Sequence, residues 1–306
     1  MLKSPLVART LILCCVASVS AQTSPPVTGP STSETFGHAV EGFRLVANHI
    51  FGRSDAGAIR SLGDLAEKFD PYGIAGTTVI NQEWQRYQIF NPANFVFTER
   101  SLDLTATIPP DGGLFPGGIH SGQIWSKQVF QPGVTGHAAY AFEIRMKIPG
   151  GKGTWPAFWL YSKVSNRRSD GSEIDHPEFF VMTNQNQFDW TGYTHGPGLG
   201  SDFYSLKTNR WVWHPGVDFS ADYHDYQTLW TSDAVYKYVD NQLVLATHFT
   251  WTASASAQMG ANLAVGSDSR DLAGLQPVGL SEFPCALSIA HIKVWGKPPA
   301  AGEKMR

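Results

Sequence analysis

Cysteine is almost missing from this sequence. Of the three in 306 residues, Cys14 and Cys15 lie near the start and Cys285 stands alone near the end. Lys3 and Arg9 make a basic opening, Leu11 to Ala17 an apolar run, and Val19-Ser20-Ala21 a small-residue exit. That order predicts a secretory leader over residues 1–21, cleaved after Ala21. The large Leu13 before Cys14 argues against a lipid anchor there. With the leader gone Cys285 has no partner, so no intramolecular disulfide is expected even in an oxidising compartment. Stability must then come from burial, for which the chain is long enough. Long apolar runs are missing too: Leu11 to Ala17 is too short to span a bilayer, and no later segment offers the roughly 20 apolar residues a membrane helix needs. A secreted protein, extracellular or periplasmic, with no membrane partner is expected. Nor is there a surplus of positive charge. Without Lys3 and Arg9, 21 basic side chains face 26 acidic ones, a formal charge of −5. That balance gives no support for a nucleic-acid partner.

Aromatic residues reach 12%, with 10 tryptophans and 30 glycines against only 16% charged residues. This mix suits a turn-rich β protein that stacks rings on flat ligands. Residues 22–33, rich in Pro, Ser and Thr and uncharged, read as a flexible lead-in. Ile59, Leu62, Leu65 and Phe69 fall at helical spacing and predict one short amphipathic helix between Ser54 and Phe69, with Ser54 or Asp55 as its cap. From Asn81 onward the texture is short apolar and aromatic runs broken by Gly, Pro and Asn. Examples are Phe95 to Thr105, Gly122 to Phe130, Tyr140 to Ile148, Thr154 to Tyr161, Glu173 to Val181, Tyr226 to Val239 and Leu287 to Trp295. The alternation in Ala141 to Ile148 puts Phe142, Ile144, Met146 and Ile148 on one face. Such runs without long helices predict an all-β antiparallel sandwich. With no internal repeat, residues 34–298 read as one domain and 299–306 as a tail.

The segment Gly171-Ser172-Glu173-Ile174-Asp175-His176-Pro177-Glu178-Phe179-Phe180 carries the chemistry. Glu173 and Asp175, two apart on a strand, point to the same face. Strict alternation would leave Glu178 on the other, but Pro177 cannot donate to a ladder and is tolerated at bulges. One extra residue there resets the alternation and brings three carboxylates into one row. Residues four strand steps apart are roughly 13 Å apart at Cα. Two Glu side chains leaning together could close that to about 5 to 6 Å, the spacing of a retaining glycosidase pair. Like charges in a row destabilise a strand unless something uses them. Metal ligation fits poorly, because His176 should point away from the carboxylates. No metal and no cofactor is assigned.

The surroundings resemble glycoside hydrolase family 16, the laminarinase, lichenase, agarase and carrageenase group. Glu173 to Glu178 resembles the family's bulged E-x-D-x-x-E signature, and Gly153 to Leu160 its G-x-W-P-A-x-W-L strand. Asn81-x-Glu83-x-Gln85-x-Tyr87 resembles N-x-E-x-Q-x-Y, and Ser121-Gly122-x-Ile124 resembles S-G-x-[IL]. Asp225 to Trp230 with Tyr238-Val239-Asp240 resembles a family hairpin, with Asn241 in place of the usual Gly. His176-Pro177 replaces the usual apolar pair, and Glu34 to Ile80 carries no motif.

The resemblance implies a concanavalin-A-like jelly roll of two antiparallel sheets with a concave substrate cleft. It implies Glu173 as nucleophile, Asp175 as its helper and Glu178 as acid/base, with Trp155, Trp159, His195, Asn81 and Glu83 at the substrate. His195 is expected to face Glu178, and Trp155 to floor the cleavage point. A structural calcium belongs to the resemblance, but its ligands are not mapped in this sequence. The expected activity is retaining endo-hydrolysis of a polysaccharide, by default β-1,3- or β-1,3/1,4-glucan, by a monomer. Agar- or carrageenan-type galactan cleavage, transglycosylation and a non-catalytic, lectin-like protein are the alternatives.

Overall fold

The computed structural model describes residues 35–71, 82–162, 172–181, 189–191, 194–195, 217–268, 276–277 and 279–302. The leader, the lead-in and Asn81 lie outside them. Two large antiparallel sheets make the molecule. One has eight strands, in the order β15 (Gln242–His248), β14 (Ala234–Val239), β13 (His224–Trp230), β8 (Ala139–Lys147), β17 (Cys285–Lys297), β5 (Leu102–Ala106) and β4 (Phe95–Phe97), with β1 (Arg44–Ile50) also on β17. The other has seven, in the order β11 (Asp189–Thr191), β10 (Glu173–Phe180), β9 (Thr154–Ser162), β16 (Ala257–Val265), β7 (Gln123–Phe130) and β2 (Phe69–Asp70), with β12 (Thr194–His195) also on β10. Among the described residues a short parallel pair, β3 (Gln85–Tyr87) and β6 (Ile119–Ser121), stands beside these sheets. The jelly-roll sandwich expected from the sequence is therefore the fold.

Period-two patterning explains which faces meet. Phe142, Ile144 and Met146 of β8 share one buried cluster with Phe158 and Leu160 of β9, Ile174 and Phe179 of β10, and Met259, Ala261 and Leu263 of β16. These are the inward positions of the two sheets, so the residues between them on β9 and β10 face outward. On the far side of the eight-stranded sheet, α1 (Phe36–Ala39) drops Phe36 edge-on against Tyr238 and Trp295, at 5.5 and 5.9 Å between ring centres.

Some elements differ from the sequence reading. The run Phe95 to Thr105 is two strands, β4 and β5, because Thr98 turns the chain: its N–H donates to the Ser101 carbonyl at 2.9 Å. The run Tyr226 to Val239 is likewise the hairpin of β13 and β14. The helix predicted between Ser54 and Phe69 is only α2 (Leu62–Lys68), capped by Ser61, whose Oγ accepts from the Asp64 N–H at 3.1 Å. Upstream, Asp55 takes the Gly57 N–H at 2.8 Å and makes a turn instead of a helix cap. The Ile59 N–H then pairs with the Ile50 carbonyl at 2.8 Å, which spends Ile59 on an extended bridge. Arg44 to Ile50, unplaced by any motif, is strand β1 along β17. Asn241 sits at the β14–β15 turn with φ +71°, the conformation for which Asn substitutes for Gly.

Gly153 opens β9 and sets where its tryptophans fall. Its φ is +85°, its N–H donates to the Val181 carbonyl at 2.8 Å, and its carbonyl accepts from Gly266 at 2.7 Å. A Cβ there would lie 2.3 Å from the backbone nitrogen of Pro277. Backbone cannot yield as a side chain can, so Gly153→Ala should lower stability by more than about 2 kcal/mol, read as a lower urea midpoint at unchanged slope. A midpoint equal to that of the parent would show the turn to be pliant.

Candidate active site

The site is built on β10 by a count of residues. Against β9, Asp175 lies opposite Trp159 but Glu178 opposite Ala157, so three steps on β10 match two on β9. The extra residue is the bulge expected at His176-Pro177. Before it Ile174 and His176 point inward; after it Phe179 does. Glu173, Asp175 and Glu178 are thereby placed together on the outer face of the seven-stranded sheet. His176 turns into the interior, where its Nε2–H donates to the Tyr238 carbonyl at 2.7 Å. Burial, with Lys237 nearby, pushes His176 down to about 3, so it is neutral and carries its proton on Nε2.

Asp175 is 5% exposed and Glu178 9%. Burial, then the charges of Glu173 and Glu178, hold the Asp175 carboxyl well above the ordinary carboxylate range. It also hydrogen-bonds to Glu173, and a protonated Asp175 can donate to that carboxylate. Trp155 Nε1 donates to Glu178 Oε1 at 2.9 Å, and its ring packs on Phe180 at 4.9 Å between centres. The indole therefore orients Glu178 as well as walling the site, and it engages Oε1, which directs an acidic proton to Oε2.

Register lays two rows across the sheet. In line with Glu178 come Ala157, Asn262 and Gln123; in line with Asp175 come Trp159, Gly260 and Trp125. Gly260 makes room for the Trp125 ring, since a Cβ there would stand 2.8 Å from it. That buried ring meets Trp159 edge-on at 4.7 Å. Half-buried Trp159 donates from Nε1 to Asn262 Oδ1 at 2.9 Å, and Asn262 Nδ2 donates to Tyr87 Oη at 2.8 Å. Glu83 is 2% exposed; its carboxylate accepts from Gln85 Nε2, and from Tyr87 at 3.5 Å. Glu83 thus stands behind Trp159 as support. Asn81 falls outside the described residues. His195 pairs by backbone with Glu173, whereas Thr191 is opposite Glu178. The register thus sets the His195 backbone beside Glu173 and not Glu178, while its side chain lies outside what is described. Sequence reasoning missed Asn262, Gln123 and Lys237. For Asn262 and Lys237 the signal was present, a polar residue among apolar and aromatic neighbours, whereas Gln123 follows Ser121 and Gly122 and gave none.

Among the described residues one cluster has metal-ligand composition. Glu143, Asp225 and His291 bring ligand atoms within 4.8 Å of one another on the eight-stranded sheet. Lys293 Nζ stands 3.2 Å from Glu143, and Arg145 Nη1 2.9 Å from Asp225, so cations already occupy this place. His291 and Lys293 outweigh burial and hold Glu143 down at about 2. We read the cluster as ion pairing on the outer face.

Trp155→Phe keeps the ring but removes the donor to Glu178. Loss of a hydrogen bond to the charged form raises a carboxyl pKa. The Glu178 titration midpoint, followed by carboxyl carbon NMR, should rise by about half a unit or more; an unmoved midpoint would leave the indole as packing only.

Comparison with known proteins agrees with this geometry. The family model "Glycosyl hydrolases family 16" matches residues 85–264, which contain the bulged strand and both rows. A β-glucanase of Acetivibrio thermocellus is 28% identical over 166 residues, 53% of this chain and 43% of that protein, so the chain spans under half the length of this relative. Among solved structures, an endo-1,3-β-glucanase of Streptomyces sioyaensis superposes with TM-score 0.64 at 19% identity, covering 85% of this chain and 98% of that one. The laminarinase catalytic domain of Thermotoga maritima superposes with TM-score 0.59 at 25% identity, covering 84% and 99%. A family match over more than half the chain, on the sandwich that carries the three acids, makes this protein a member of glycosyl hydrolases family 16.

Proposed function

We propose that the protein is an exported endo-β-glucanase that cleaves internal β-1,3 or mixed β-1,3/1,4 bonds with retention of configuration. The observation that carries this reading is the single-residue bulge that sets Glu173, Asp175 and Glu178 on one outward face. The names of the relatives supply the glucan: a β-glucanase, an endo-1,3-β-glucanase and a laminarinase. Export rests on the leader-like opening of the sequence.

In this reading Glu173 attacks the anomeric carbon while Glu178 gives its proton to the leaving glycosidic oxygen. The leaving oxygen departs as a hydroxyl and a covalent glycosyl-enzyme remains. Glu178, now a carboxylate, takes a proton from water; the water attacks the same carbon and frees Glu173. Asp175, holding its proton through burial and its two acidic neighbours, donates to the Glu173 carboxylate and keeps it aimed. The Trp155 indole on Glu178 Oε1 leaves Oε2 to face the leaving group. The scheme runs on carboxylates and water and asks for no cofactor. Trp159, steadied by Asn262, supplies an aromatic face for an adjoining sugar ring.

Laminarin and lichenan should give new reducing ends, and proton NMR at early times should show the β anomer first. Glu178→Gln should lower turnover by about 10²- to 10⁴-fold, and Glu173→Gln should stop it, both with native melting curves. Near-normal turnover in either variant would remove the role assigned to that residue, and an inverted anomer would exclude double displacement. Inactivity on both glucans with cleavage of agarose or carrageenan would move the substrate to a galactan.

A further inference from the structure

Lys237 is the only buried lysine or arginine among the described residues, and it has no exposed surface. It lies on β14, in the sheet opposite the carboxylates. Along β14, Ala234, Tyr236 and Tyr238 pack on the outer cluster, whereas Val235 and Val239 belong to the core between the sheets. Lys237, two from each valine, takes a core position where an apolar side chain would cost nothing in desolvation. Its Nζ donates to the Asp175 carbonyl at 2.9 Å, at the residue where the bulge begins. The next residue answers in the opposite direction, His176 donating to the carbonyl of Tyr238, the neighbour of Lys237. Two adjacent residues on each strand thus clasp the sheets together beneath the carboxylates. The titratable groups that face Lys237, among the described residues, are Asp175, His176 and Glu178 of β10. Its ladder neighbours, Thr228 and Leu245, carry no charge.

We propose that Lys237 is a positioning residue for the glucanase reaction, fixing the Asp175 carbonyl at the bulge from behind the sheet and biasing the proton balance of Asp175 and Glu178 with its charge. The inference rests on the reading of the carboxylates given above. Geometry carries it: from a fully buried position in the opposite sheet, the lysine brings its Nζ to that carbonyl. Burial lowers Lys237 to about 7, while Asp175 and Glu178 pull it up, so the three groups sense one another through dry interior. The same attraction acts in reverse, because Lys237 draws the Asp175 carboxyl down against burial and its acidic neighbours.

Lys237→Met in the full chain is the test, since Met fills the space without charge or donor. Kinetics on laminarin should show kcat lowered at least about tenfold with KM changed less than about twofold, the pattern of a lost transition-state effect. The carboxyl midpoints of Asp175 and Glu178, followed by carbon NMR, should rise by about half a unit or more. A folded variant with parental kcat and parental midpoints would overturn the proposal, as would a fall in kcat with unmoved midpoints, which is mere packing. Should Met prevent folding, Lys237→Gln keeps a donor to the carbonyl but no charge, and its raised midpoints support the proposal while unmoved ones overturn it. The Lys237 amine can also be followed in the parent protein: a shift that tracks the carboxyl titrations is expected, and indifference to them counts against the proposal. Wild type inactive on every glucan would defeat the glucanase reading alone, because the titrations need no substrate.

Discussion

One extra residue in β10 decides what this molecule can do. With unbroken alternation Glu178 would share a face with Ile174 and His176 and enter the core, and Phe179 would turn out to water. Sending a carboxylate into a packed interior costs several kcal/mol, and exposing a phenylalanine forfeits about 2 more. The bulge avoids both penalties, so the apolar patterning of β10 enforces the parity that aligns the carboxylates. The alignment of the three acids and the burial of the strand have the same cause.

The bulge is held from two sides. Outside, Trp155 bonds to Glu178, and Trp159 is steadied through Asn262, Tyr87 and Glu83. Inside, Lys237 and His176 reach across the sandwich in opposite directions. Because the carboxylates stand on a paired strand with partners on both faces, their positions are inherited from the ladder, as a preorganised site requires. Charge is distributed in the same spirit. Beneath the three acids on the outer face lies the buried Lys237, whereas Glu143 and Asp225 on the other sheet meet cations beside them.

Much of this was legible in the chain. Period-two runs marked the strands because a half-buried sheet must alternate. Pro177 marked the bulge because a residue without an N–H is tolerated where the ladder is interrupted. The helix was overextended because spacing alone cannot weigh Asp55 turning the backbone against Asp55 capping a helix. The backbone partner of His195, Glu173, could not be read in advance because pairing between strands depends on a register that no local pattern fixes. Glu83 was placed at the substrate by the resemblance of its N-x-E-x-Q-x-Y stretch; only the packing shows Gln85 and Tyr87 closing on it.

By itself the sequence determined the two-sheet class, the strand bearing the acids and the residue at which that strand breaks step, since local sterics and alternation set all three. Lys237, two residues from a valine on either side, carried a signal there that the sequence reading passed over. Tertiary structure alone decided what that lysine meets, which rows the tryptophans join and which acid His195 accompanies, because contacts between strands far apart in the chain follow from register and packing, which no local pattern encodes.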